Sequence, residues 1–267
     1  MHVLRWLAAE AFSDALRRRI VPVICVIALL SLLFVDSCTG CAPSVRSADG
    51  EVLDLPELAG FSGMLMFGTL SLWIAILAGV LASDHLAEPL ADGSANLLLA
   101  RPISRCQYAG ARLLGSWSLA AITGALLLLI SAWLLQARQG LAGGPALLSI
   151  CLTLVNALTV AGCAMALSLG LGRTLTALAV FGGVWGLAGV EALRLAPIEV
   201  ATSTWVRVIA DAGPPLLAGA IAPLAPWLGP EGPSLGDPAW VAARALAWCA
   251  ASGATLMLAF RRTELGG

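Results

Sequence analysis

Three short constellations in this sequence combine residue types that could do chemistry. Cys38-Thr39-Gly40-Cys41 is a C-x-x-C, a spacing that suits a disulfide, a thiol-exchange pair or a soft-metal site. No second pair and no neighbouring histidine accompanies it, so a zinc site of ordinary spacing is not supported. A structural disulfide is the first reading, with metal or sulfur handling as the other. Asp84-His85 sets a carboxylate beside one of only two histidines, an acid–base pairing in form. Its place at the end of an apolar run reads more simply as a solvated span end. The third constellation is Glu88-Pro-Leu-Ala-Asp92-Gly93-Ser94-Ala-Asn-Leu-Leu-Leu-Ala100-Arg101-Pro102-Ile103-Ser104-Arg105. Asp92 or Ser94 suits the N-cap of a short helix over Asn96–Ala100, which Pro102 would stop. Leu97–Leu99 would then form an apolar patch beside Arg101 and Arg105, chemistry suited to docking on a partner protein. Packing of the loop against its own chain is the alternative.

Other chemistry is thin. All 15 basic residues are arginine, which excludes a lysine Schiff base and the Walker A P-loop. No Ser/His or paired-carboxylate arrangement supports hydrolytic catalysis, so an intramembrane enzyme is a weak third class. Glu191 and Asp211 read as hydrated interface charges or as groups facing a substrate path, and Asn156 and Thr159 as hydrogen bonds between helices.

The elements that must position these residues follow from composition. Of 267 residues, 59% are hydrophobic and 12% charged, with a mean hydropathy of +0.91. A soluble domain carries about 25% charged residues, so a soluble globule is excluded. About 20 mostly apolar residues cross a bilayer, and six stretches qualify: 20–35, 61–82, 113–135, 145–169, 175–193 and 240–260. The segment Val208–Gly229 is apolar but interrupted by Pro214, Pro215, Pro223 and Pro226. Backbone groups freed by proline have no water partner in lipid, so short re-entrant or surface helices are expected there rather than a seventh span. Small residues recur as Gly162, Ala166 and Gly170 and as Gly182, Gly186 and Gly189, faces on which helices can approach closely.

Residues 1–19 place Leu4, Leu7, Ala8, Ala11, Phe12, Ala15 and Leu16 at helical spacing, an amphipathic helix suited to the cytoplasmic leaflet. Residues 20–267 form a single membrane domain with no soluble catalytic domain attached. The fold class expected is therefore an all-α integral membrane protein of six transmembrane helices. The amphipathic surface helix precedes them, and re-entrant or short external helices precede the last span. Six spans put both termini on one side. With the termini cytoplasmic, the inner segments hold ten arginines against six acidic residues, and the outer ones five against ten. That segregation follows the positive-inside rule. A cleaved signal peptide over the first run is the weaker alternative, because the residues ahead of Arg17–Arg19 are too long for an n-region.

An acidic residue, Gly-Ser, a leucine run, Arg-Pro and a further Arg after the second of six spans resemble the ABC-2 type transporter permease family. The N-terminal helix and the ending Phe260-Arg261-Arg262-Thr263-Glu264-Leu265 agree with it. The chain looks like the stand-alone branch encoded apart from its ATPase, similar to the nitrous-oxide-reductase maturation permease. The resemblance implies that the loop forms a coupling helix seated in an ATPase cleft, marked by Glu88, Asp92, Gly93, Ser94, Arg101, Pro102 and Arg105. Ser94 stands where the family commonly has Thr. The implied assembly is two permease copies with two ABC ATPase subunits, working in a bacterial inner membrane. ATP and Mg would be bound by the partner, with no cofactor or nucleic acid on this chain. ATP hydrolysis on the separate chain would drive export. The rival readings are a non-transporting scaffold, and a mechanotransmitter acting on an extracytoplasmic partner.

Overall fold

Apolar runs of this length must satisfy their backbone inside the segment, and an α-helix does so. The structure, a computed structural model, describes residues 2–17, 22, 26, 29, 30, 33, 37, 55–93, 103–194, 204–227 and 236–262. Every regular element among them is helical. In chain order these are α1 (His2–Arg17), α2 (Leu55–Ala91), α3 (Arg105–Gln139), α4 (Gly143–Ser168) and α5 (Arg173–Leu193). There follow α6 (Thr204–Ala212), α7 (Leu216–Ile221), a 3-10 turn (Ala222–Trp227) and α8 (Pro238–Arg262). Five of them, α2 to α5 and α8, are long and apolar enough to cross a membrane. The all-α membrane fold expected from composition is the fold observed. Most of the first expected span, 20–35, lies outside the described residues.

Two boundaries differ from expectation. The second and third spans were expected at 61–82 and 113–135, but the apolar helices run Gly63–Leu90 and Arg105–Ala137. The first charges past an apolar run end its fit to lipid, yet they do not end the helix. Asp84, His85, Leu86, Ala87 and Glu88 simply continue α2. The stop is Gly93, whose φ of +78° lies in the left-handed region that costs a side chain strain. At the other side of the gap, Ser104 caps α3 through a reciprocal box. Its Oγ accepts the Gln107 N–H and its own N–H donates to Gln107 Oε1, both at 3.2 Å. Helix therefore extends past both expected span ends, to Ala91 in α2 and from Arg105 in α3.

α2 is the central helix, with 78% of its most apolar window buried, against 28% for α5 and 22% for α8. Without a hydrophobic difference between lipid and protein, close approach through small residues holds such helices together. A Cβ on Gly79 of α2 would come within 2.6 Å of Val180 on α5 and 2.9 Å of Val160 on α4. Gly162 of α4 likewise meets Ser252 of α8 at 3.0 Å, so that part of the small-residue stripe is an internal contact. A Cβ on Gly170, Gly182, Gly186 or Gly189 would meet nothing within 4 Å.

α1 lies against α3. Leu7, Ala11 and Ala15 are buried, and a Cβ on Gly115 would sit 2.5 Å from the Ala8 carbonyl oxygen. Its apolar stripe thus faces the protein, while Trp6 and Leu16 point outward.

The proline-rich segment bends by 65° between α6 and the α7 region. The Arg207 carbonyl in α6 accepts from Arg194, just past the end of α5. The following 3-10 turn brings Trp227 against Gly63, at the start of the α2 span. Between them Pro215 reaches Asn156, thirteen residues past Gly143 in α4 and so about 20 Å along that helix. Both ends of the segment are at one end of the bundle and its middle dips inward, which is a re-entrant hairpin and not a seventh span.

Candidate functional site

The end of the bundle that carries the 92–104 connection gathers α1 and the adjoining ends of α2, α3, α5 and α8. Asp84 and His85 are buried there, at 4% and 2% exposure, which corrects their reading as a solvated span end. Asp84 Oδ1 lies 3.1 Å from Arg173 Nε, so the last turns of the second span are paired to the first residue of α5. One turn on, Glu88 is exposed and its carbonyl accepts the Asp92 N–H at 3.0 Å. Asp92 is exposed too, and Gly93 turns the chain away from the helix. Arg105 opens α3, half-buried, directly after the Ser104 cap. Glu88, Asp92, Gly93 and Arg105 thus sit at the two helix ends that flank the connection. Ser94, Arg101 and Pro102 lie outside the described residues, as do the expected helix Asn96–Ala100 and both Cys38 and Cys41.

Behind this rim is a hub that sequence reading missed. Arg112, one turn into α3 from Tyr108, is 4% exposed. Its guanidinium lies 3.5 Å from Asp14 and 3.8 Å from Glu10, both on α1, and stands over the Tyr108 ring at 5.5 Å. Tyr108 in turn stacks on Phe260 of α8, with ring centroids 6.2 Å apart. A signal was available: Glu10 and Asp14 are four residues apart and share a helix face, so one cation can meet both.

The opposite end carries a second charged cluster, built around the hairpin. Glu191, on the last turn of α5, is 3% exposed. Its Oε2 accepts the N–H groups of Leu217 at 2.6 Å and Ala218 at 3.2 Å. Its Oε1 accepts from Arg244 of α8 at 3.3 Å. Arg194 pairs with Asp211 of α6 at 2.9 Å, and Arg244 approaches the same carboxylate at 4.0 Å. Glu191 is therefore no hydrated interface charge; it joins α5 to α7 and α8. Asn156 Nδ2 donates to the Pro215 carbonyl at 2.6 Å, and Ser149 donates to the Ala220 carbonyl. Trp248 Nε1 donates to the Ala212 carbonyl at 2.9 Å. The expected interhelical role of Asn156 is thus a bond to the hairpin. Thr159 instead donates to Val155 of its own helix.

Most other hydroxyls in the spans do as Thr159 does. Ser71, Ser83, Ser116, Thr123, Ser131 and Ser168 donate to carbonyls three or four residues earlier. Cys106, Cys151, Cys163 and Cys249 are free thiols. Among the described residues no group of three or more His, Cys, Asp or Glu could hold a metal ion. The arrangement suits mechanical work: two ends, each tied across several helices by ion pairs. A family model described as ABC-2 family transporter protein matches residues 5–190, from α1 through nearly all of α5. No curated protein matches the chain.

Proposed function

The chain belongs to the ABC-2 family of transporter proteins, and from that premise we propose that it couples ATP hydrolysis on a separate ATPase chain to export. It is a multi-pass membrane permease, and permeases of this family work with an ABC ATPase that carries the nucleotide chemistry. In the reading proposed here two permease copies sit above two ATPases in a bacterial inner membrane, with both termini cytoplasmic. The 88–105 connection is the ATPase contact, through Glu88, Asp92, Gly93, Ser94, Arg101, Pro102 and Arg105. Closure of the ATPases on ATP would push that connection and drive alternating access.

The observation that supports this reading most is the wiring behind the connection. A push on the end of α2 reaches α5 through Asp84–Arg173. A push on the start of α3 reaches α1 through Arg112, and α8 through Tyr108 and Phe260. Force applied to either flank of the connection would thus be shared with three other helices. The test is reconstitution with the ABC ATPase that co-purifies with the chain. Charge reversal at Arg101 and Arg105 should cut ATPase recovery and abolish permease-stimulated ATP turnover. Full binding and turnover in that variant would remove the connection from the role, and a chain that recovers no ATPase would favour the scaffold reading.

A further inference from the structure

α6 leads into the hairpin, and three contacts fix its height against the spans beside it. The Arg207 carbonyl accepts from Arg194 at 2.8 Å, which sets the middle of α6 level with the end of α5. A Cβ on Gly213 would come within 3.2 Å of Leu187, six residues before Leu193 and so about 9 Å back along α5. The Ala212 carbonyl accepts from Trp248, well inside α8. α6 therefore descends beside the last turns of α5. That span has 21 residues, about 31 Å, little more than the hydrocarbon thickness of a bilayer. The C-terminal end of α6, level with Leu187, is thus at hydrocarbon depth.

The nine residues of α6 divide by face at about 100° per residue. Val206 and Ala210 turn towards the protein, half-buried and 3% exposed. Arg207 and Asp211 share one edge, where Asp211 pairs with Arg194 at 2.9 Å. Trp205, Val208, Ile209 and Ala212 fall together within an arc of about 100° on the remaining side. All four are exposed, Trp205 to 78%, Val208 to 52% and Ile209 to 45%. Trp205 stands just ahead of Arg207, at the level where span and headgroups meet, which is the depth tryptophan favours. An apolar stripe that begins there and runs inward along the end of a span meets acyl chains, while its charged edge is tied back on Arg194.

We propose that the Trp205, Val208, Ile209 and Ala212 face of α6 docks on lipid, inserted obliquely into the leaflet opposite the 92–104 connection, with Trp205 at the headgroups and Ala212 deepest. The proposal rests on the membrane class and on the hairpin, and is independent of the ATPase and of transport direction.

Nitroxide labels on single cysteines test it, in a cysteine-free background of the full chain in nanodiscs of phosphatidylethanolamine and phosphatidylglycerol. The variants are Trp205→Cys, Val208→Cys, Ile209→Cys and Ala212→Cys, with Arg207→Cys on the charged edge as contrast. Accessibility to oxygen, which concentrates in lipid, is compared with accessibility to a water-soluble nickel chelate. Oxygen should be favoured at 208, 209 and 212, and the nickel chelate at 207. The ratio should climb from 205 to 212, a distance of about 10 Å along the helix. Val208 and Ile209 are replaced separately, so that one failing to fold leaves the other to decide. Preference for nickel at 208 and 209 would show a face in water and sink the proposal. Exclusion of both reagents would show a face covered by protein, and dipolar broadening between labels would identify the cover as a second copy. A ratio that is flat from 205 to 212 would mean a helix lying along the surface, which equally overturns oblique insertion.

Discussion

Arg112 is a charge that folding has taken out of water, and its partners decide what that costs. Glu10 and Asp14 are partly exposed, so they regain water if the arginine is lost, whereas the arginine has nowhere to go if they are lost. Arg112→Gln should therefore lower the stability of the detergent-solubilised chain by about 1–3 kcal/mol, measured by thermal unfolding. Glu10→Gln should cost less than about 1 kcal/mol, because Asp14 remains and the site is near solvent. Asn156 is the stricter case. Asn156→Leu leaves the Pro215 carbonyl with no donor in a buried setting, and should cost about 1–3 kcal/mol in the same assay. Asn156 could not be paired from sequence, since it and Pro215 are 59 residues apart. Sequence did mark Asn156 as a polar group in a span that needs a partner, and Glu191 as a charge at a span end. What it lacked was burial, which separates a hydrated carboxylate from a structural one.

At the scale of elements, α1 shows how a helix legible from its periodicity leaves its protein neighbour open. Its periodicity reads as an amphipathic helix, and an apolar stripe suits a lipid surface or a protein surface equally well. The deciding feature is on α3, where Gly115 leaves room for the α1 backbone. Gly115→Leu should lift α1 off the bundle, so that trypsin cleaves after Arg17 several times faster at unchanged detergent and temperature. Gly186→Ala is the control, because a Cβ there meets nothing within 4 Å and adds helix propensity of about 1 kcal/mol. It should leave cleavage after Arg17 at the parent rate and raise the stability of the chain by up to about 1 kcal/mol. The ends of α2 and α3 teach a related point. Hydropathy locates where lipid contact stops, while the helix runs on to the residues that can stop it, Gly93 and the Ser104 cap.

For the whole molecule, the re-entrant hairpin decides which ends of the described helices share a side. The hairpin returns to the side it leaves, so α8 ends on the same side as the 170–172 turn, opposite the 140–144 turn. In a cysteine-free background in inside-out membrane vesicles, cytoplasmic termini require Leu171→Cys and Arg262→Cys to react with an impermeant maleimide and Gly143→Cys not to react. Reversed labelling would overturn cytoplasmic termini. The sequence by itself determined the all-α membrane class and the family resemblance. Those depend on composition and on the 20-residue scale of a bilayer, which are properties of contiguous segments. Only the tertiary structure decided that α1 docks on α3 and that the proline-rich segment, read from sequence as re-entrant or surface helices, reaches in to Asn156. It alone placed Glu191 against the amides of Leu217 and Ala218. Each of these is a contact between segments far apart in the chain, chosen by shape and by the demand that a buried polar group find a partner.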